Sequence, residues 1–421
     1  MPDTARLRRP HRARVRAMLA TAAMLHLAAP QAQSMVGMDM TAMDMSAMHH
    51  ARPASQPCSS TQWLGCANTA TPFMSGDGRL LLTWIEAGAV EFAQSNDRGA
   101  SWSPALKLGD VGQGFDGGGD ARPVLAADAH GHVLVAYDQF KDKDWNAQIL
   151  LARSRDGGES FSSLQVFEPG SISQRLPALA MLPSGQLLMA WQDKRLSKPA
   201  QRPGASIAFS WSQDGGKNFE PSRIAEASSC ECCRLGASIT PQGDAVLAYR
   251  TIFQGSVRDH QIQRFTPGKA PAAAHRVAVD DWVTNACPHH GPSVAVSAQG
   301  TIHVTWYTQG KARQGLFYAR STDGGEHFSA PLALGNADRM PARPELLAQA
   351  GQLWLVWKEF DGKQTQVRMQ RSDDDGQSWS AAQTVASATG YSDHPLLVGD
   401  GHQAYLSWLS HEHGYQFMPL P

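Results

Sequence analysis

The sequence lacks any apolar run of about 20 residues, the length that a membrane-spanning helix requires. It also lacks an excess of charge of either sign, because 37 Lys and Arg stand against 38 Asp and Glu. Proteins that bind nucleic acid need clustered positive charge to neutralise phosphates, so this balance does not indicate such a partner. The apolar, aromatic and glycine contents are those of a globular protein, and nothing in them suggests a transmembrane chain.

The first 34 residues are typical of a secretory signal peptide. Six arginines precede an apolar run at 17–29, and small and polar residues follow at 30–34, which is the order of the three signal regions. We therefore expect removal of residues 1–34 and export to the periplasm or beyond. The removal takes away six Arg and one Asp, so the mature chain carries 31 minus 37, a net charge of −6 with neutral His.

A unit of about 51 to 58 residues recurs along the rest of the chain. Each copy has an apolar strand, a glycine turn and a second strand that ends on an aromatic residue. The seven aromatics in phase are Trp84, Tyr137, Trp191, Tyr249, Trp306, Trp357 and Trp408. This period suits one blade of a β-propeller. The sequence therefore predicts an all-β fold over 58–421, a β-propeller of four-stranded blades, with seven blades favoured over six.

A second motif, Ser-x-Asp-x-Gly-x-x-aromatic, occurs five times in register and is missing from the fourth unit. Its Asp and Ser are expected to hydrogen-bond the backbone of a tight turn, while its Gly takes a positive φ. The five aspartates are Asp97, Asp156, Asp214, Asp323 and Asp374. These copies resemble the Asp-box, or BNR, repeats of the sialidase superfamily, and the resemblance covers residues from about 70 to 421.

The resemblance implies candidate catalytic residues. Sialidases hold a sugar carboxylate with three arginines and use a Tyr paired with Glu as the nucleophile. By similarity of the local motifs, Arg175, Arg195 and Arg343 would hold an anionic sugar and Tyr391 would be the nucleophile. The residues after Arg195 read Leu-Ser-Lys-Pro-Ala-Gln-Arg, where the family has an Asp, so no proton donor is assigned. This departure favours a catalytically diverged protein.

The first strand of each propeller blade starts at one mouth of the central channel, where ligands usually bind. The residues expected at that position are Arg122, Arg175, Arg234, His290, Arg343 and His394. This set predicts a cationic mouth that could bind an anionic glycan. The alternative is that the arginines pair with acidic residues of neighbouring blades.

Cysteine and histidine cluster at the starts of two successive units. Cys230, Cys232 and Cys233 open the fourth unit, and the sequence Cys287-Pro-His289-His290 opens the fifth. Neighbouring blades would bring these six soft ligands together, which suits copper, or zinc as the alternative. Disulfides are the other interpretation, because an exported chain meets an oxidising compartment. Cys287 could pair with one of the first three, and Cys58 with Cys66.

The segment 35–57 is rich in methionine and histidine and otherwise small and polar, which indicates disorder. Its candidate ligands are Met38, Met40, Met43, Met45, Met48, His49 and His50. Thioethers bind Cu(I), and the segment resembles the Met-rich segments of periplasmic copper-resistance proteins. The alternative is a flexible linker in which the methionines are incidental.

The favoured hypothesis from sequence is an exported, monomeric, catalytically diverged sialidase-like propeller that binds a transition metal, copper above all. An exo-sialidase-type glycoside hydrolase is the first alternative, and a glycan- or protein-binding module is the second.

Overall fold

The computed structural model describes residues 61–110, 118–197 and 204–421. These residues contain β-strands and short 3-10 turns but no α-helix, and none of their elements is long and apolar enough to cross a membrane as a helix. The predicted signal peptide and the Met/His-rich segment lie outside the described residues, as does Cys58. The predicted all-β class is therefore confirmed for the part of the chain that the structure describes.

Antiparallel strands pair in chain order within units of three or four strands, and one bridge between Ser229 and Thr251 joins two of these units in one sheet. The first unit contains β1 (Thr69–Met74), β2 (Leu80–Glu86), β3 (Ala89–Ser95) and β4 (Leu106–Asp110). The second contains β5 (Val124–Ala127), β6 (Val133–Phe140), β7 (Ala147–Ser154) and β8 (Gln165–Val166). The third contains β9 (Gln174–Met181), β10 (Leu187–Asp193), β11 (Ala205–Ser212) and β12 (Arg223–Ser229).

The later units follow the same order. The fourth contains β13 (Gly236–Ile239), β14 (Ala245–Phe253), β15 (Val257–Phe265) and β16 (His275–Arg276). The fifth contains β17 (Ser293–Val296), β18 (Ile302–Gln309), β19 (Gln314–Ser321) and β20 (Leu332–Leu334). The sixth contains β21 (Ala342–Gln349), β22 (Gln352–Phe360), β23 (Gln364–Ser372) and β24 (Gln383–Thr389). The last has three strands, β25 (Leu396–Gly399), β26 (Ala404–Ser410) and β27 (Gly414–Pro419).

The core lies between successive units, because each sheet packs both faces on its neighbours. All seven residues of β10 are buried, which explains why this strand is apolar without the alternation of a half-exposed strand. Trp191 of β10 packs with Ile149 of the second unit in one apolar cluster. The seven aromatics that mark the repeat are each at most 1% exposed.

The first strands of successive units contact one another in order, from β1 to β5 and on to β25, and β25 contacts β1. The backbone N–H of Ala70 in β1 donates to Asp393, just before β25, over 3.1 Å. At the outer side of the last unit, Tyr415 N–H donates to the carbonyl of Trp63 over 3.0 Å. The last unit has three strands among the described residues, and residues 61–66 make turns beside β27 rather than a fourth strand.

The Asp-box motif closes the turn between the third and fourth strands of five units. In all five copies the Ser hydroxyl donates to the Asp carboxylate and accepts from the Gly N–H. In the second unit, hydrogen bonds from Ser154 and Ser160 lower the pKa of Asp156 to about 2. Gly158 has φ +96°, and a Cβ there would lie 2.8 Å from the ring of Phe92 in the preceding unit. The motif thus packs one unit onto the next.

Ser154→Ala tests this structural role. Ser154 is buried and bonds both Asp156 and Gly158, so we expect the free energy of unfolding to fall by about 1–3 kcal/mol. Urea denaturation followed by tryptophan fluorescence measures the change. The exposed Ser163 provides the matched control, and equal stability of Ser154→Ala and Ser163→Ala would contradict the role.

Candidate functional site

Three cysteine thiols meet in the turn between β12 and β13. The Sγ of Cys230 lies 3.5 Å from that of Cys232 and 3.3 Å from that of Cys233. A disulfide has its sulfur atoms about 2.05 Å apart, so these are separate thiols. All three side chains are at most 3% exposed, and they form a cluster with the half-buried Cys287.

Backbone hydrogen bonds hold this turn in place. Cys233 N–H donates to the carbonyl of Cys230 over 3.3 Å, which closes the turn and points its sulfurs to one side. Cys230 N–H donates to the carbonyl of Arg250 in β14 over 2.9 Å, and Gln192 of β10 donates to the carbonyl of Cys233 over 3.4 Å. The third and fourth units therefore both fix the position of the thiols.

A second group of ligand atoms adjoins the first. The ligand atoms of Cys232, Cys287 and His289 lie within 4.8 Å of one another, as do those of Cys230, Cys232 and Cys233. The backbone at His289 is left-handed, with φ 51°. Arg343 of the sixth unit donates to the carbonyl of His289. Four cysteines and one histidine thus come together, as the sequence predicts for the starts of two neighbouring units.

The surroundings lower the pKa of some thiols in this cluster and raise the pKa of others. Hydrogen bonds from the thiols of Cys232 and Cys233, together with the guanidinium of Arg258, hold the pKa of Cys230 well below its usual value. Arg258 donates to the Cys230 sulfur over 3.1 Å and to the carbonyl of Thr284 over 2.8 Å. Burial raises the pKa of Cys232 well above its usual value. A hydrogen bond from Cys232 also lowers the pKa of Cys287, so the surroundings favour thiolates at Cys230 and Cys287.

The structure separates His290 from this set. The His290 ring stacks on Tyr307 with centroids 4.1 Å apart, and His290 belongs to neither ligand group of the described residues. The cause is the backbone, because Arg250 donates to the carbonyl of His290 over 3.0 Å and fixes the loop. His289 rather than His290 therefore faces the thiols. The disulfide between Cys287 and one of the three is also not formed, since all four are free.

The arginines at the predicted channel mouth have acidic partners. Arg122 lies 2.6 Å from Asp393 of the last unit, and Arg234 lies 3.0 Å from Glu345 of the sixth. Arg343 lies 2.7 Å from Asp120, which places positive charges from several units against carboxylates. The mouth is therefore close to neutral rather than strongly cationic.

Several of these paired residues line a small cavity, and the ionisable residues Lys358 and His394 interact with the same arginines. The cavity has a volume of about 190 Å³ and is lined by Asp120, Arg122, Arg234 and Glu345 with apolar residues of the first strands. Burial lowers the pKa of Lys358 to about 8, and the ammonium donates to the carbonyl of Ser392 over 2.6 Å. Burial also lowers the pKa of His394 well below its usual value.

The four candidate sialidase residues each have their own partners. Arg175 lies 3.8 Å from Asp138, and Arg195 lies 2.7 Å from Asp193 and 3.1 Å from Glu168. No ion pair among the described residues joins Arg175, Arg195 and Arg343 to a common group.

Tyr391 lies partly buried beside the start of the first unit. Its hydroxyl donates to the carbonyl of Asn68 over 2.5 Å, and its ring lies 4.7 Å from that of His411. Burial raises the pKa of this phenol. Among the described residues no carboxylate bonds the hydroxyl, although a tyrosine nucleophile would need such a base.

Arg250 and Arg258 are the residues that the sequence reading missed. Both belong to hairpin strands of the fourth unit, and their guanidinium groups reach the thiols and the 287–290 loop. The only signal in the sequence is their position: each is a basic residue in an otherwise well-buried strand. Such a residue needs a polar partner, and here the partners are sulfur and backbone carbonyls.

Solved structures share this fold. A polysaccharide lyase family 25 ulvan lyase, bound to a glucuronate and rhamnose-3-sulfate fragment, aligns with TM-score 0.58 and 11% identity over 85% of this chain and 95% of the lyase. The Hadza microbial sialidase Hz136 aligns with TM-score 0.50 and 15% identity over 82% of this chain and 73% of its own. A protein of unknown function from Dyadobacter fermentans aligns with TM-score 0.50 and 17% identity over 70% and 92%.

No protein-family model matches the chain, and no curated protein matches its sequence. Identities this low show a common fold and leave the activity open. The resemblance to sialidases is therefore confirmed at the level of fold: the chain has the sialidase-like architecture that several glycan-acting enzymes share.

Thiol alkylation tests the geometry of the cluster. In reduced, metal-free protein we expect iodoacetamide to modify Cys287 at least about tenfold faster than the three buried cysteines, which need local opening. Peptide mapping assigns each modification, and the same reaction in guanidinium chloride should label all four. A disulfide between Cys287 and any of the three in non-reduced protein would contradict the assignment of free thiols.

Proposed function

We propose that the protein binds a soft transition metal, Cu(I) above Zn²⁺, through Cys230, Cys232, Cys233, Cys287 and His289. One observation carries the proposal: the buried sulfur of Cys230 lies 3.5 Å from that of Cys232 and 3.3 Å from that of Cys233, without a bond to either. Ligands at about 2.3 Å from a tetrahedral ion are roughly 3.8 Å apart, so small shifts suffice to bind one ion.

The chemistry of these residues suits a soft ion. Thiolates select Cu(I) and Zn²⁺ over hard cations such as Mg²⁺ and Ca²⁺. The Met/His-rich segment 35–50 adds thioethers, which favour Cu(I) over Zn²⁺ and support copper as the ion. Arg258, which donates to Cys230, would keep its sulfur deprotonated and ready to coordinate. The loop with Cys287 and His289, fixed by Arg250 and Arg343, would supply two further ligands.

The proposal includes the setting of the site. We infer that the seven units close into a seven-bladed propeller, because β25 contacts β1 and Asp393 bonds both Arg122 and Ala70. We also infer that the protein is exported after removal of residues 1–34. In that compartment it would bind Cu(I). In this account the sialidase-like fold is a rigid support, and the loops between units carry the function.

Metal content tests the proposal. The double variant Cys232→Ser with Cys233→Ser should lose the copper that the wild-type protein retains after dialysis, because the site then keeps two of its thiols. Mass spectrometry of protein exported in copper-supplemented cells measures the content, and circular dichroism checks the fold. Asp323, Glu326 and His327 form an exposed candidate ligand group that contains no sulfur. His327→Ala is therefore the matched control and should leave the copper content unchanged. Full copper retention in the double variant would overturn the proposal.

A glycan-directed activity is the second candidate. Its support is the fold shared with an ulvan lyase and a sialidase, both of which act on anionic sugars according to their names. A further support is the set of arginines around the cavity of about 190 Å³. Against catalysis stand the carboxylate partners of these arginines and the hydrogen bond from Tyr391 to a backbone carbonyl.

Turnover of a fluorogenic sialoside separates the two candidates. We expect no release of fluorophore by the wild-type protein, because the Tyr391 hydroxyl lacks a base and its pKa is raised. A known sialidase serves as the positive control. Release by the wild-type protein that Tyr391→Phe abolishes would establish the second candidate, whereas release that survives this change would point to another nucleophile.

A further inference from the structure

The five ligands of the proposed metal site form two triads that share one residue. Cys230, Cys232 and Cys233 make one triad, and Cys232, Cys287 and His289 make the other. In each triad all ligand atoms lie within 4.8 Å of one another. Cys232 is the single member of both, so the sulfur of Cys232 stands between two groups of ligands.

The five ligands are arranged as two groups and not as one compact shell. Two sulfurs on the same ion lie at most about 4.6 Å apart, which is twice a metal–sulfur bond of about 2.3 Å. Neither Cys230 nor Cys233 shares a triad with Cys287 or His289, so no group of mutually close ligand atoms among the described residues contains all five. In either triad alone the ligand atoms lie within 4.8 Å of one another, close to this limit.

We infer that the cluster binds two metal ions, with the Cys232 thiolate bridging them. One ion takes Cys230 and Cys233 as its other ligands, and the second takes Cys287 and His289. This inference rests on the proposed function, since it concerns the same thiols, and it adds the number of ions and the role of each residue.

The charge around the cluster favours monovalent ions. Four thiolates carry four negative charges, and the guanidinium groups of Arg250 and Arg258 supply two positive ones beside them. Two monovalent ions complete the balance, whereas two divalent ions leave two uncompensated positive charges in a buried site. Glu231 is paired with Lys194 over 3.0 Å, so this carboxylate changes neither sum.

The arginine beside His289 also has a carboxylate partner. Arg343, which donates to the carbonyl of His289, is paired with Asp120 over 2.7 Å. The site is therefore expected to prefer Cu(I), and its redox-stable analogue Ag(I), to Zn²⁺. Each ion displaces the remaining thiol protons to solvent, so loading releases protons and becomes tighter as the pH rises.

Native mass spectrometry of the full chain with Ag(I) tests the number of ions. A synthetic peptide of residues 35–50 is added in excess, so that ions held only by the chain's own thioethers exchange onto the peptide. We expect two Ag(I) to remain on the unmutated protein. One retained ion would overturn the two-ion inference and leave the proposed function standing, and no retained ion would overturn both.

Paired variants assign the ions to the triads. Cys230→Ala with Cys233→Ala should retain one Ag(I), and Cys287→Ala with His289→Ala should also retain one. Combining all four changes should retain none, since Cys232 alone offers a single ligand. Loss of both ions in either double variant would mean that the ions bind as one unit, against two separable triads. Thermal unfolding of each variant confirms the fold, and the unmutated protein decides the count if a variant does not fold.

Discussion

The guanidinium of Arg250 is the interaction on which the site depends. Arg250 is 1% exposed, and it donates to the carbonyls of Arg258, His290 and Tyr307. The guanidinium carbon Cζ of Arg250 also lies 4.6 Å from the centroid of the Trp282 ring. One side chain therefore joins β14, β15 and β18 to the loop that carries Cys287 and His289, and fixes the distance between the two halves of the ligand set.

A buried cation of this kind needs compensating negative charge. No carboxylate lies within ion-pair distance of Arg250 among the described residues, and its hydrogen bonds all go to neutral carbonyls. Cys230 is the nearby group that can carry this charge, because Arg250 and Arg258 both help to lower the pKa of its thiol. The arginines and the cysteines thus stabilise each other, and a soft cation bound to the thiolates would complete a neutral core. This balance explains why so many ionisable groups are buried together.

The sequence predicted the all-β class and the four-stranded antiparallel units because its repeated residues are the ones that pack between units. Trp84 and its six counterparts recur where each second strand ends, and all are buried between units. The Asp-box pattern likewise fixes a turn, since each Ser, Asp and Gly bonds its own neighbours. The meeting of Cys230 with Cys287 followed from the same repeat, because starts of successive units are adjacent.

The repeat could not predict contacts of side chains that do not occupy its recurring positions. Asp120 and Asp393 neutralise the mouth, yet neither occupies the repeated arginine position, so the mouth was expected to be cationic. The choice of His289 over His290 follows from the left-handed backbone at His289 and from the bonds of Arg250, which no spacing reveals. The alternative disulfide of Cys287 is not formed for a related reason: adjacency of units brings thiols near one another without fixing whether their sulfurs bond.

X-ray absorption at the copper edge of the Cu(I)-loaded, unmutated protein is the most direct test of the central claim, because it identifies the atoms bound to the metal. The account predicts a first shell dominated by sulfur, with a minor nitrogen contribution from His289. A first shell of nitrogen and oxygen alone would contradict it, and would show that copper binds away from the buried thiols.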